Sequence, residues 1–165
     1  MLDLYRLFMG AMLTRAKLRS ALAATTMETP KFNYESERVL AKVLDCYDAD
    51  TVWVAADLFG GGIRRHRIRF NGIDTPEMKD DDEGVKAYAI EARAHVVAKV
   101  AEKIVELEVQ GMGMYGRLMG EIFVDNKSLS KELLELGYAL PYSGKTKRPD
   151  WRQELRDRSA KSESP

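Results

Sequence analysis

Residues 38–77 read RVLAKVLDCYDADTVWVAADLFGGGIRRHRIRFNGIDTPE, and this stretch decides the fold. Val39, Ala41 and Val43 alternate with Leu40, Lys42 and Leu44, the period of two that sends successive side chains to opposite faces of a sheet. Thr51 to Val54 is rich in β-branched and aromatic residues, which suit a pleated, half-buried surface. Gly60-Gly61-Gly62 supplies a turn that tolerates positive φ, and Ile63 to Ile73 follows as one long strand. Three consecutive strands joined by short turns read as a meander.

Downstream, Asp80-Asp81-Asp82-Glu83-Gly84 reads as a solvated acidic loop. Val85, Tyr88, Ala89, Ala92, Val96, Val97 and Val100 recur at helical spacing. Ile104 to Val109 alternates like a strand, Gly111 and Gly113 mark a turn, and Leu118 to Val124 makes a fifth strand. Asp125-Asn126 turns the chain, Ser128 can cap a helix through Leu133, Leu134 and Leu136, and Gly137 stops it. Five short strands with a helix between the third and fourth give an α+β, mainly β class: a five-stranded OB-type barrel with two or three packed helices.

The expected organisation is an N-terminal extension over 1–35, a barrel domain over 36–142 and a charged, partly helical tail over 143–165. Leu2, Leu4, Leu7, Phe8, Met12 and Leu13 with Arg6, Arg15, Lys17 and Arg19 suggest an amphipathic helix at the start, with Asp3 and Glu28 as the acidic residues of the first thirty. Asp3 and Arg6 interrupt the apolar run a secretory signal needs; a targeting or membrane-surface helix and a docking extension both fit. No run of eighteen apolar residues exists, so no integral span is expected. One cysteine, Cys46, excludes an internal disulfide. With 26 basic and 26 acidic residues the net charge is zero, so any grip on nucleic acid must come from local clusters. The sequence leaves localisation undefined, and a monomer is favoured.

Three constellations carry chemistry. Asp48-Ala49-Asp50-Thr51 places two carboxylates two residues apart at a turn, where they can offer hard oxygen ligands to Ca²⁺ or Mg²⁺; alone it is a common turn sequence. Arg69 through Glu77 runs from a strand carrying Arg65, Arg67 and Arg69 on one face to Asp74, Thr75, Pro76 and Glu77 at the sheet exit. Pro76 stiffens that exit. Tyr115-Gly116-Arg117 sets an arginine, whose fork of donors suits phosphate oxygens, just before the fifth strand. Each has a bland reading as turn or solvated face.

Together, in this order and on these elements, the three segments resemble the staphylococcal nuclease (thermonuclease) family over about residues 36–142. Gly137-Tyr138-Ala139 resembles the family's end of the barrel-capping helix. The resemblance implies a metal-dependent hydrolase, endonucleolytic, that cleaves single-stranded or frayed DNA and RNA and leaves 3′-phosphate ends. It implies Asp50, Asp74 and the Thr75 carbonyl as ligands of one Ca²⁺ ion in preference to Mg²⁺, and Asp48 as a supporting acid. It implies Glu77 as the group that orients or deprotonates water, Arg69 and Arg117 as the phosphate grip, and Tyr115 and Tyr142 as lining of the nucleotide pocket. Ala49 stands where glycine is usual, Gly113 where the family often has Asp, and Met114 where it often has a basic residue. The alternative is a non-catalytic nucleic-acid- or protein-binding module on the same fold.

Overall fold

The computed structural model describes residues 15–113, 116–145 and 147–162. The chain falls into two units, residues 1–32 and 33–165. In the first, helix α1 (Arg15–Ala23) buries none of its residues. The apolar positions that suggest an amphipathic start, Leu2 to Leu13, lie outside the described residues. Among the described residues no helix is long and apolar enough to cross a membrane.

The second unit is built on β1 (Val39–Cys46), β2 (Thr51–Ala56), β3 (Arg64–Phe70), β5 (Ile104–Met112) and β6 (Leu118–Val124). The order is β3-β2-β1-β5-β6, and parallel pairing of β3 with β6 through Ile68 and Leu118 closes the sheet on itself. Closure removes the open edges that a free sheet would expose. The result is a five-stranded barrel of OB type in an α+β fold. Val43, Val52, Val54, Ile68, Phe70, Leu107 and Ile122 fill it, one residue in two along each strand, as the pleat requires.

The long strand expected over Ile63 to Ile73 is two pieces. β3 ends at Phe70, Asn71-Gly72 turns with Gly72 at φ +80°, and β4 (Ile73–Asp74) pairs instead with β8 (Leu140–Pro141). A residue without Cβ adopts that φ freely, so the break lies where the sequence allows it. It turns Ile73 and Asp74 out of the barrel ladder and toward the segment that follows β8.

Helix α2 (Glu83–Val100) lies between β4 and β5 and buries Val85, Ala89, Ala92, Val96 and Val100, the last three of that set in the barrel core. Its N-cap is Asp82, whose side chain accepts from the Gly84 and Val85 amides. The acidic loop is therefore more than a solvated run. Asp82 satisfies two of the orphan amides at the helix start, and Asp80 accepts from Arg152 at 2.6 Å. Backbone donation from Asp82 and that arginine hold the Asp80 carboxyl below its usual range. Asp82→Ala is expected to lower stability by about 1 kcal/mol, read as a shift in urea midpoint, while Asp81→Ala moves it little.

After β6 come β7 (Lys127–Ser128) and helix α3 (Leu129–Glu135), capped by Ser128, which accepts from the Lys131 amide. Gly137, at φ +79°, ends it as expected. Helix α4 (Trp151–Ser162) packs on α2. There the Arg158 guanidinium donates to the Tyr88 hydroxyl and to the Gly137 carbonyl at 3.0 and 2.9 Å. Trp151, at the first turn of α4, is buried.

Candidate functional site

The β1–β2 turn carries Asp48 and Asp50, and the end of β3 carries Arg69, because Thr51 and Arg69 stand opposite each other in the ladder. β4 carries Asp74 beside them. Asp50 and Asp74 are both fully buried. One arginine serves the two: Arg69 Nη1 pairs with Asp50 Oδ1, and Nη2 lies 3.5 Å from Asp74 Oδ1. Buried carboxylates need such partners, because an unpaired buried charge is costly. Asp50 Oδ1 also accepts from the Thr51 hydroxyl at 2.8 Å, whereas Asp50 Oδ2 is buried with no hydrogen-bond partner among the described residues save the neighbouring Asp48 carboxyl, which hydrogen-bonds the Asp50 side chain. The turn itself is unstrained. Ala49 is buried and is absent from the non-glycine residues at positive φ, so the alanine is no obstacle.

Concentrated acid shows in the protonation equilibria. Burial, then the charge of Asp50, pushes the Asp48 carboxyl up to about 7. Burial also raises Asp74, against the opposing pull of Trp151 and Arg148. A carboxyl that titrates higher in the folded than in the unfolded chain keeps more protons on the folded side between the two values. Stability then falls as pH rises across that window. For Asp48 the window runs from its ordinary 3.8 to about 7. The metal-free protein is expected to be less stable at pH 8 than at pH 5, with Asp48→Asn flattening the difference; urea midpoints in chelator at the two pH values check this.

Arg69, Asp74, Glu77, Arg117, Tyr142 and Arg148 line one cleft of about 790 Å³. Glu77, past the buried Thr75 and Pro76, is half-exposed at its edge. Tyr142 is positioned by its amide, which donates to the Gly72 carbonyl at 2.9 Å. The Arg117 carbonyl accepts from the Gly113 amide at 2.9 Å. A Cβ at Gly113 would stand 2.6 Å from Met119 Sδ, so Met119 occupies the space an aspartate there would need. Tyr115 and Met114 lie outside the described residues.

The resemblance did not point to two residues of the site. Arg148 donates from Nε to Asp74 Oδ1 at 2.8 Å and from Nη2 to the Thr75 carbonyl at 3.3 Å, and its Nη1 lies 2.5 Å from Glu77 Oε1. Trp151 donates from its indole Nε1 to Asp74 Oδ2 at 3.0 Å. Both belong to the segment read from sequence as a charged tail. A lone tryptophan in that tail, after Pro149-Asp150, was the available signal, since an indole in a charged stretch seldom faces only water.

The fold and this cleft have a counterpart among known proteins. The family described as staphylococcal nuclease homologue matches residues 67–164, more than half of the chain. The chain belongs to the staphylococcal nuclease family. The match takes in Arg69, Asp74, Thr75, Glu77, Arg117, Tyr142, Arg148 and Trp151, and begins after Asp48 and Asp50. Among curated relatives, the probable staphylococcal-like nuclease CAN2 of Oryza sativa subsp. japonica is 29% identical over 118 residues, covering 70% of this chain and 28% of that protein. The staphylococcal-like nuclease CAN1 of Arabidopsis thaliana is 31% identical over 98 residues, covering 58% of this chain and 28% of the relative. This member of the family thus matches little more than a quarter of the length of those relatives.

The donor set suits a hard divalent cation. Arg69 bridges the two buried carboxylates, Arg148 bridges Asp74 and the Thr75 carbonyl, and among the described residues Asp50 Oδ2 has no hydrogen-bond partner save the Asp48 carboxyl. Ca²⁺ and Mg²⁺ take such oxygens. Among the described residues no cluster of three or more His, Cys, Asp or Glu side chains forms a metal site, so any ion here would draw on the backbone and on water as well.

Proposed function

We propose that this chain is a metal-dependent nuclease that hydrolyses phosphodiester bonds of single-stranded or frayed DNA and RNA endonucleolytically, leaving 3′-phosphate ends. The observation that carries the reading is the convergence of Arg69, Arg117 and Glu77 on one cleft, beside two buried aspartates, one with an oxygen that meets only the Asp48 carboxyl among the described residues. Buried carboxylates beside the phosphate grip are the oxygen ligands that a hard divalent cation takes.

Asp50, Asp74 and the Thr75 carbonyl would hold one Ca²⁺ ion, with Asp48 supporting them. That ion would supply positive charge at the phosphate and lower the pKa of a bound water. The rest falls to the chain's own residues. Attack on phosphorus loads negative charge on its oxygens, and Arg69 and Arg117 place two fixed forks of donors there. Glu77, at the edge of the cleft, accepts the proton of the attacking water or sets its line of approach. Tyr142, with Tyr115, lines the nucleotide pocket. Residues 36–142 supply these groups, and Arg148 and Trp151 extend the working unit into the C-terminal segment.

A 5′-labelled single-stranded oligonucleotide and its RNA counterpart, incubated with the purified chain in Ca²⁺, test the reading. Internal fragments whose mobility drops after phosphatase treatment, the sign of a 3′-phosphate, are expected. Intact substrate with a folded protein, at every Ca²⁺ and Mg²⁺ concentration, would contradict it.

A further inference from the structure

The C-terminal segment brings a cation of its own to the acidic site. The three oxygens Arg148 meets, on Asp74, Thr75 and Glu77, are the groups assigned above to the metal ion and its water. Trp151 takes the second oxygen of Asp74. Both oxygens of Asp74 are therefore engaged by one segment, and the oxygen that meets only the Asp48 carboxyl among the described residues belongs to Asp50.

We propose that Arg148 is the resident counter-ion of this site and that a divalent cation binds by displacing it from Asp74 and the Thr75 carbonyl. The inference rests on the cation reading given above. Its physical basis is competition for lone pairs. An arginine fork that donates to a carboxylate oxygen and a carbonyl oxygen takes up the lone pairs a hard cation would need, and two cations crowded on one carboxylate repel.

The two arginines of the acidic pair differ in how easily they could give way. Arg69 is 15% exposed and holds both buried aspartates, whereas the Arg148 side chain is 43% exposed. Arg148 sits in the irregular stretch between β8 and α4, where a shift breaks no ladder or helix. Of its two ionic partners among the described residues, Glu77 is half-exposed, where ion pairs contribute little, and the buried Asp74 keeps Arg69 and Trp151 when Arg148 moves. Arg148 is thus the arginine that can leave.

The measurement is Ca²⁺ binding by calorimetry, with catalysis left out of the readout. The chain has two tryptophans, Trp53 and Trp151, so a Trp53→Phe background leaves Trp151 emission as a second readout at Asp74. Arg148→Met is expected to bind Ca²⁺ about tenfold more tightly, because a competitor that occupies the site nine-tenths of the time weakens apparent affinity by that factor. Arg148→Lys, which keeps the charge but not the fork, is expected to fall between. With Arg148 present, Trp151 emission should change over the same Ca²⁺ range.

Affinity in Arg148→Met equal to or weaker than in the parent would overturn the proposal and leave Arg148 as a brace. Arg148→Lys matching the parent would overturn it too, since charge alone would then account for the effect. If Arg148→Met does not fold, the Lys variant and the Trp151 signal decide. No Ca²⁺ binding by any folded variant would overturn the cation reading itself, a failure distinct from binding that does not tighten.

Discussion

Glu77→Gln is expected to slow cleavage by roughly 10²–10⁴-fold, the range that a positioned general base contributes. The substitution keeps the shape and removes the charge, so loss of rate would report chemistry. Little else should change. Glu77 is half-exposed and, among the described residues, its one ion pair is with the half-exposed Arg148, and exposed pairs are worth about 0–1 kcal/mol. The unfolding midpoint should stay within that margin. A variant that unfolds early would make Glu77 a structural residue, and a variant that cleaves at the parent rate would remove it from the mechanism. The assay is single-turnover cleavage of a labelled single strand beside a urea titration of the same preparation.

Arg69→Met is expected to strike stability and activity together. Among the described residues the guanidinium is the ionic partner of Asp50 and one of two for Asp74, and both carboxylates are fully buried. Removing one side of a buried pair leaves an uncompensated charge and costs about 3–5 kcal/mol. Methionine fills much the same length, so the loss would come from charge and hydrogen bonding more than from a cavity. Cleavage should fall by a further 10²–10³-fold or so from the missing phosphate donor. Arg69→Lys should recover part of the stability and little of the rate, because a point charge cannot serve two carboxylates with a planar fork. Denaturant midpoints for the three proteins at one pH check the first claim. A midpoint for Arg69→Met near the parent's would mean the buried aspartates do not depend on it.

Much of the barrel was legible because its signals are local. Alternation in β1, the β-branched run of β2 and the helical spacing from Val85 to Val100 each repeat within a few residues, and burial follows that pattern. The Ile63–Ile73 strand was overextended because the pattern of apolar residues crosses Gly72 without a break, while its φ of +80° does not. The candidate site was read as three short motifs; of their described residues Arg69, Asp74, Glu77 and Arg117 line one cleft, and Asp50 pairs with Arg69 beside it. What escaped was the part set by long-range contact. Asp74 meets Arg148 and Trp151 across 74 and 77 residues, and Asp80 meets Arg152 across 72. In sequence, Arg148 is one of several cations between Lys145 and Arg158, and nothing nearby says which of them turns inward. Likewise Asp82 is one acid in a run of four until the helix it caps is seen. Charged residues gain their roles from what the fold brings to them, and that information is spread over the whole chain.

If Asp50, Asp74 and Thr75 hold a metal ion that works with Glu77, Arg69 and Arg117 on a phosphodiester, cleavage depends on that ion. The most direct test follows cleavage of single-stranded DNA by the purified chain as isolated, after chelation, and after Ca²⁺ is restored. Activity lost on chelation and recovered with Ca²⁺, in a protein whose fold is unchanged throughout, is the predicted result. Cleavage that persists in chelator, or its absence whatever the metal, would contradict the account.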